Sequence, residues 1–212
     1  MIGVVDFGAG NTRSVLRGLA AVGAATLTVD RPAQLDGVDR LVLPGVGAAG
    51  SAVRELRRRD LWEPLRAWGV AGRPLLGICL GAQLLLDRSE EDAAEGLGLI
   101  PGVCRAFPPP QAGGPRRVPH IGWNEVRLAG GVSVEAYFVH GYWLDPADPA
   151  CVRGTSEVDG FTFPAVVRRG SLTGVQFHPE KSAAFGRALL AAFAQGLLDA
   201  PHLAALEAAP WT

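Results

Sequence analysis

Cys79 stands in LLGICLGAQLLL, residues 75–86, with Gly77 and Gly81 two places to either side. A buried strand has no need of those glycines, and a helix is weakened by them. The pattern G-x-C-x-G between an apolar strand and a helix is the cysteine form of a nucleophile elbow. Its sharp turn strains the nucleophile's backbone, and bulky neighbours two places away would collide. The elbow predicts a thiol at a helix N-terminus, where the dipole favours the reactive thiolate. The N–H of Leu80, next in the chain, then points to where an oxyanion would form. The competing reading is a buried cysteine in a Gly-rich strand.

A thiolate needs a base. Of His120, His140, His178 and His202, only His178 has an acid at close range, in G-V-Q-F-H-P-E, residues 174–180. In extended chain, residues i and i+2 face the same way, and Pro179 stiffens the link. Glu180 is therefore expected to hold one ring nitrogen of His178 while the other faces Cys79, the nucleophile–base–orienter logic of a triad. Alone, H-P-E reads equally as a surface pair at a strand end; beside the elbow it reads as chemistry.

A third Gly-rich piece is P-G-V-G-A-A-G, residues 44–50. It spells G-x-G-x-x-G, but the dinucleotide fingerprint belongs with an acid at the end of the next strand, and here that strand ends at the cysteine. It is read as a mobile loop offering backbone N–H groups. The phosphate-binding G-x-x-x-x-G-K-[ST] pattern is absent, and Asp6-Phe7-Gly8 is a chance likeness to a kinase motif.

These groups need a frame. Strands are expected at 2–7, 25–29, 40–43 and 75–78, with helices from Asn11 as cap to about 22, over 49–58 and 61–68, and starting again in AQLLLDR. Strands alternating with helices imply parallel βαβ units, and apolar strands fit a sheet covered on both faces. After about residue 100 the texture changes. PPPQAGGP (108–115) reads as a loop. NEVRL, EAYFVH, ACVRGTSEV, FPAVVRR and SLTGVQFH read as antiparallel strands, and a last helix over 182–198. The expectation is one α/β domain over 1–212, its central sheet mixed but mostly parallel and flanked by helices, with antiparallel strands in the C-terminal half.

Bulk properties exclude several classes. Nearly half of the 212 residues are hydrophobic and the formal net charge is -1, without the basic stripe of a nucleic-acid binder. No apolar run approaches the roughly 18 residues of a membrane span, and MIGVVDFGAG reads as a first strand, not a signal peptide. The cytoplasm is the default location. Cys79, Cys104 and Cys151 show no metal-ligand spacing, so no metal site or disulfide framework is expected, and the last two read as small buried hydrophobes. Lys181 is the only lysine in a chain that otherwise uses arginine.

P-G-V-G, G-I-C-L-G-x-Q and G-V-Q-F-H-P-E, in this order, resemble the triad (class I) glutamine amidotransferases. D-F-G-A-G-N-T-R-S-V (6–15), P-H-I-G-W-N (119–124), Y-F-V-H (137–140) and H-P-E-K-S (178–182) extend the likeness, over nearly the whole chain, to the glutaminase subunits of imidazole glycerol phosphate synthase. The resemblance implies the class I amidotransferase fold and no cofactor. It implies hydrolysis of glutamine and delivery of ammonia to a (β/α)₈-barrel synthase subunit in histidine biosynthesis. That subunit makes imidazole glycerol phosphate and an aminoimidazole carboxamide ribonucleotide. Carried over, Cys79 is the nucleophile, His178 the base and Glu180 its orienter. Leu80, Val46 and Gly47 supply the oxyanion hole, where glycine lets a peptide turn over. Gln83, one helical turn past Cys79, holds the substrate; Glu95 meets its ammonium, and the backbone of His140, Gly141 and Tyr142 its carboxylate. Asn11, His120, Trp123, Asn124 and Lys181 face the partner in a heterodimer. The alternatives are the glutaminase of another class I amidotransferase, against which P-H-I-G-W-N and P-E-K-S weigh, and a stand-alone cysteine hydrolase. A non-catalytic binding module is argued against by the intact triad.

Overall fold

The computed structural model describes residues 1–8, 11–109 and 118–198. The chain opens with β1 (Ile2–Val5), α1 (Thr12–Ala21), β2 (Thr26–Val29), β3 (Arg40–Gly45), α2 (Ala49–Arg58), α3 (Trp62–Val70) and β4 (Leu75–Cys79). The apolar runs pair in parallel, β1 with β2 and β3, and β3 with β4. Every residue of β1 and β4 is buried, as strands covered on both faces must be.

The helix expected from AQLLLDR is a single turn, α4 (Leu80–Gln83). The carbonyls of Leu84, Leu85 and Leu86 accept instead from the N–H groups of Leu97, Gly98, Leu99 and Ile100. A carbonyl so occupied is not free for the i+4 bond of a longer helix. This segment leads to β5 (Arg88–Ser89) and β6 (Gly102–Ala106).

The remaining strands are β7 (His120–Leu128), β8 (Ser133–His140), β9 (Tyr142–Pro146), β10 (Val152–Val158), β11 (Phe161–Arg169) and β12 (Leu172–Val175), before α5 (Ala183–Ala194). The large sheet has nine strands in the order β2-β1-β3-β4-β12-β11-β10-β7-β8. The antiparallel half is as the sequence implies, with one exception. β12 pairs antiparallel with β11 on one side and parallel with β4 on the other, register Val175 to Ile78. It thus carries the segment with His178 to the strand that carries Cys79. A second sheet, β5-β6-β9, was not legible in advance. The expected loop at 108–115 lies mostly outside the described residues, as do residues 9–10 of the first motif.

Candidate active site

Cys79 ends β4 in a conformation that side chains rarely adopt, φ 52° and ψ −108°. The flanking glycines have a steric reason. A Cβ on Gly81 would stand 1.7 Å from the carbonyl oxygen of Leu43, and one on Gly77 2.7 Å from that of Gly81. The fold-back into α4 therefore requires Gly77, and the close approach of β3 requires Gly81. Because α4 is one turn long, its dipole is short. The group raised toward its charged form beside Cys79 is His178.

His178 is 1% exposed. Its main-chain N–H donates to the carbonyl of Tyr137 at 2.9 Å. Ser182 donates its hydroxyl to the His178 carbonyl (2.6 Å) and accepts from the N–H of Tyr137 (3.0 Å). H-P-E-K-S is thus tied to β8. Glu180 Oε1 lies 2.7 Å from His178 Nδ1, and its side chain is fully buried. Burial alone would push the imidazole down. The hydrogen bonds to Cys79 and Glu180, and their negative charges, outweigh that and raise it to about 9. The site is arranged to hold an imidazolium at His178.

Asn11 is the N-cap residue of α1, its carbonyl accepting from the N–H groups of Ser14 and Val15, but its side chain makes no cap bond. Nδ2 donates instead to Glu180 Oε1 at 2.5 Å and lies 3.3 Å from His178 Nδ1. Asn11 thus belongs to the triad rather than to an exposed face. It is 7% exposed.

Cys79 opens onto a pocket of about 320 Å³ whose walls include Val46, Gly47, Leu80, Gln83 and Tyr142. His140 and Gly141 also line it. Gly47 adopts φ +94°. Glu95 is not on this wall. Ala94 and Gly96 on either side of it are buried, so it faces outward and pairs with Arg57. The acid lining the pocket is Glu91. Glu91 Oε2 accepts the N–H of Ala49, the first residue of α2, at 2.8 Å. Burial raises the Glu91 carboxyl, against the pull of that N–H. S-E-E-D-A-A-E offers four acids, and spacing alone did not single out one of them.

Gln176 was missed. It is fully buried, its Oε1 accepts from Gln83 Nε2 at 3.3 Å, and its Nε2 lies 3.8 Å from Cys79 Sγ. The signal was present, since Gln176 and His178 are two apart in near-extended chain.

Of the expected partner-facing residues, Trp123 is 51% exposed, and Ile121 beside it on β7 is 60% exposed. Lys181 is exposed, with Nζ 5.6 Å from the centre of the Tyr137 ring. His120 instead turns inward and is 8% exposed. Asn124 spends its amide on His120 and on the carbonyl of Glu157. Asn124 is half-buried. The cause is register: β7 alternates, so Ile121 and Trp123 share the outer face while His120 points into the molecule.

The model of the glutamine amidotransferase class-I family matches residues 3–195. Imidazole glycerol phosphate synthase subunit HisH of Streptococcus gordonii is 45% identical over 201 residues, covering 91% of this chain and 95% of that one. The protein of the same name from Streptococcus sanguinis is 46% identical over 202 residues, with the same coverage. A crystal structure of a glutamine amidotransferase superposes with a TM-score of 0.73 at 21% identity, covering 92% of this chain and 98% of that one.

Proposed function

The chain belongs to the class I glutamine amidotransferases and, within them, to the family of imidazole glycerol phosphate synthase subunit HisH, and from that premise we propose that it hydrolyses glutamine for an attached synthase. The observation that carries this reading is the strained Cys79 at the wall of a small pocket, with Cys79 and Glu180 together raising the buried His178.

The Cys79 thiolate attacks the side-chain amide carbon of glutamine. The oxyanion forms toward the N–H groups of Leu80 and of the Val46–Gly47 segment. His178 gives its proton to the leaving nitrogen, and ammonia departs, leaving a γ-glutamyl thioester. Water, deprotonated by His178, then releases glutamate and restores the thiol–imidazole pair. Both amide hydrogens of Gln83 are engaged, one by the Tyr142 carbonyl at 3.2 Å and one by Gln176. Its carbonyl is therefore the group left to accept from the substrate's ammonium, with Glu91 supplying the negative charge. The backbone at Gly141 and Tyr142 faces the substrate carboxylate.

The partner is a (β/α)₈-barrel synthase subunit of histidine biosynthesis, in the cytoplasm, and the whole chain acts as one amidotransferase domain. The exposed Ile121 and Trp123, with Lys181 at the rim, form the docking face. Ammonia without an acceptor is wasted, so the isolated chain is expected to be a poor glutaminase. A partner that raised a competent loop conformation from about 1% to dominance would speed turnover roughly a hundredfold, for about 2.7 kcal/mol. The test is glutaminase turnover with and without the barrel subunit and its nucleotide ligand. Full activity from the chain alone, unchanged by the partner, would favour a stand-alone hydrolase. Lys181→Ala is expected to weaken coupling more than intrinsic hydrolysis.

A further inference from the structure

Among the described residues, two buried histidines remain outside the triad. His120 Nδ1 lies 3.0 Å from His140 Nε2, and His140 Nδ1 lies 2.8 Å from the carbonyl oxygen of Tyr142. At the other end, Asn124 Nδ2 lies 3.2 Å from His120 Nε2. These contacts determine where each proton sits. A carbonyl only accepts, so His140 carries hydrogen on Nδ1, and burial holds this imidazole neutral, pushed down to about 3. His140 Nε2 must then accept, so His120 carries hydrogen on Nδ1. Burial lowers His120 as well. Its Nε2 accepts in turn from the Asn124 amide, whose other hydrogen goes to the Glu157 carbonyl at 2.7 Å. Every donor meets one acceptor, and the chain of bonds runs in one direction.

The inner end of that chain is the Tyr142 carbonyl, which also accepts from Gln83 at 3.2 Å. Gln83 continues to Gln176, and Gln176 reaches toward the sulfur of Cys79. We propose that His140, oriented by His120, is a positioning residue for glutamine binding: it fixes the Tyr142 peptide, and through it the amide of Gln83, in the pocket. This rests on the glutaminase reading above. A rotated Tyr142 peptide would release Gln83 Nε2 and turn the amide away from the substrate's ammonium. The outer end lies on β7 between the half-buried Asn124 and the exposed Ile121 and Trp123, so the pocket is braced from the strand that carries the docking face.

The test compares variants of the chain assembled with its barrel partner. His140→Phe keeps a ring among Phe107, Phe138 and Phe163, which pack against His140, but removes the donor. It is expected to raise KM for glutamine about tenfold, the worth of one buried hydrogen bond, with the defect falling on KM rather than kcat. His140→Asn places an amide N–H where Nδ1–H stood and is expected to recover KM to within about threefold of wild type. Unchanged KM in His140→Phe, or equal defects in the Phe and Asn variants, would overturn the positioning role. If His140→Phe does not fold, His120→Phe replaces it. That ring stacks on Phe138 at 4.9 Å, and about a threefold rise in KM is expected from the loosened His140 tautomer; no rise overturns the proposal. A wild-type complex that does not hydrolyse glutamine would sink the glutaminase reading itself. Wild-type turnover with insensitive variants sinks only this inference.

Discussion

His178 and His140 are both nearly sealed from solvent, in one half of one sheet, yet their imidazoles are driven in opposite directions. His178 follows β12 and faces Glu180 and Cys79, and it is raised to about 9. His140 ends β8 and faces a carbonyl and a second neutral imidazole, and it is pushed down to about 3. Burial disfavours charge at both. What differs is whether an opposite charge waits in the same low-dielectric space. Around His178 the cost of desolvation is offset by the opposite charge of Glu180. The wall beside it keeps its histidines neutral, so that each can both donate and accept.

Removing the charged partner breaks the comparison most severely. Cys79→Ala is expected to lower glutamine hydrolysis by more than about 10⁴-fold. The complex should still run its synthase reaction on added ammonium, as assayed by product formation. His178→Ala should be nearly as damaging in the glutaminase assay.

Glu180→Gln comes next, at roughly 10²- to 10⁴-fold in kcat, a smaller loss than for His178→Ala. In the wild type, kcat/KM should fall as pH rises through about 9, where His178 loses the proton it must give to ammonia. Without the carboxylate this alkaline limb should move toward neutral pH. A limb that stays in place would remove Glu180 as a source of the raised value, to which Cys79 also contributes.

Asn11→Ala deletes the buried donor to Glu180. Roughly tenfold lower kcat is expected, the worth of one hydrogen bond to a charged group. The variant should be measured in the assembled complex, with Tm recorded to separate loss of fold from loss of orientation.

The smallest effect concerns stability in acid. A folded-state value depressed below the ordinary 6.5 means that the stability tied to a neutral His140 is present above about pH 6.5. It is lost as pH falls toward about 3. The slope is at most about 1.4 kcal/mol per pH unit. His140→Phe should flatten this part of the Tm-against-pH curve. The raised His178 has the reverse sign: its stability is full below 6.5 and is lost as pH rises through about 9.

What the sequence determined was what lies within a few bonds of the reacting atoms. Gly77 marks the elbow because the collision it avoids is with chain folding back next to it, whereas the one avoided at Gly81 is with the Leu43 carbonyl of β3. His178 and Glu180 meet because two residues of near-extended backbone and a proline leave few other arrangements. The alternation of β7 also contained Trp123 outside and His120 inside, since strand period is local. Tertiary structure decided everything that depends on which distant strands become neighbours. Asn11 reaches Glu180 across 169 positions, and Gln83 reaches Gln176 across 93. The first follows from α1 packing on the turn that carries Glu180, the second from the sheet order, which sets β12 beside β4. The choice of Glu91 over Glu95 was likewise settled by the backbone of residues 96–100 taking the carbonyls of Leu84 to Asp87, which ends α4 after one turn and aims Glu95 outward. Hydrophobic period and turn chemistry act over a few residues. The pairing of distant strands is fixed by burial summed over the whole core, and no short stretch of sequence carries that sum.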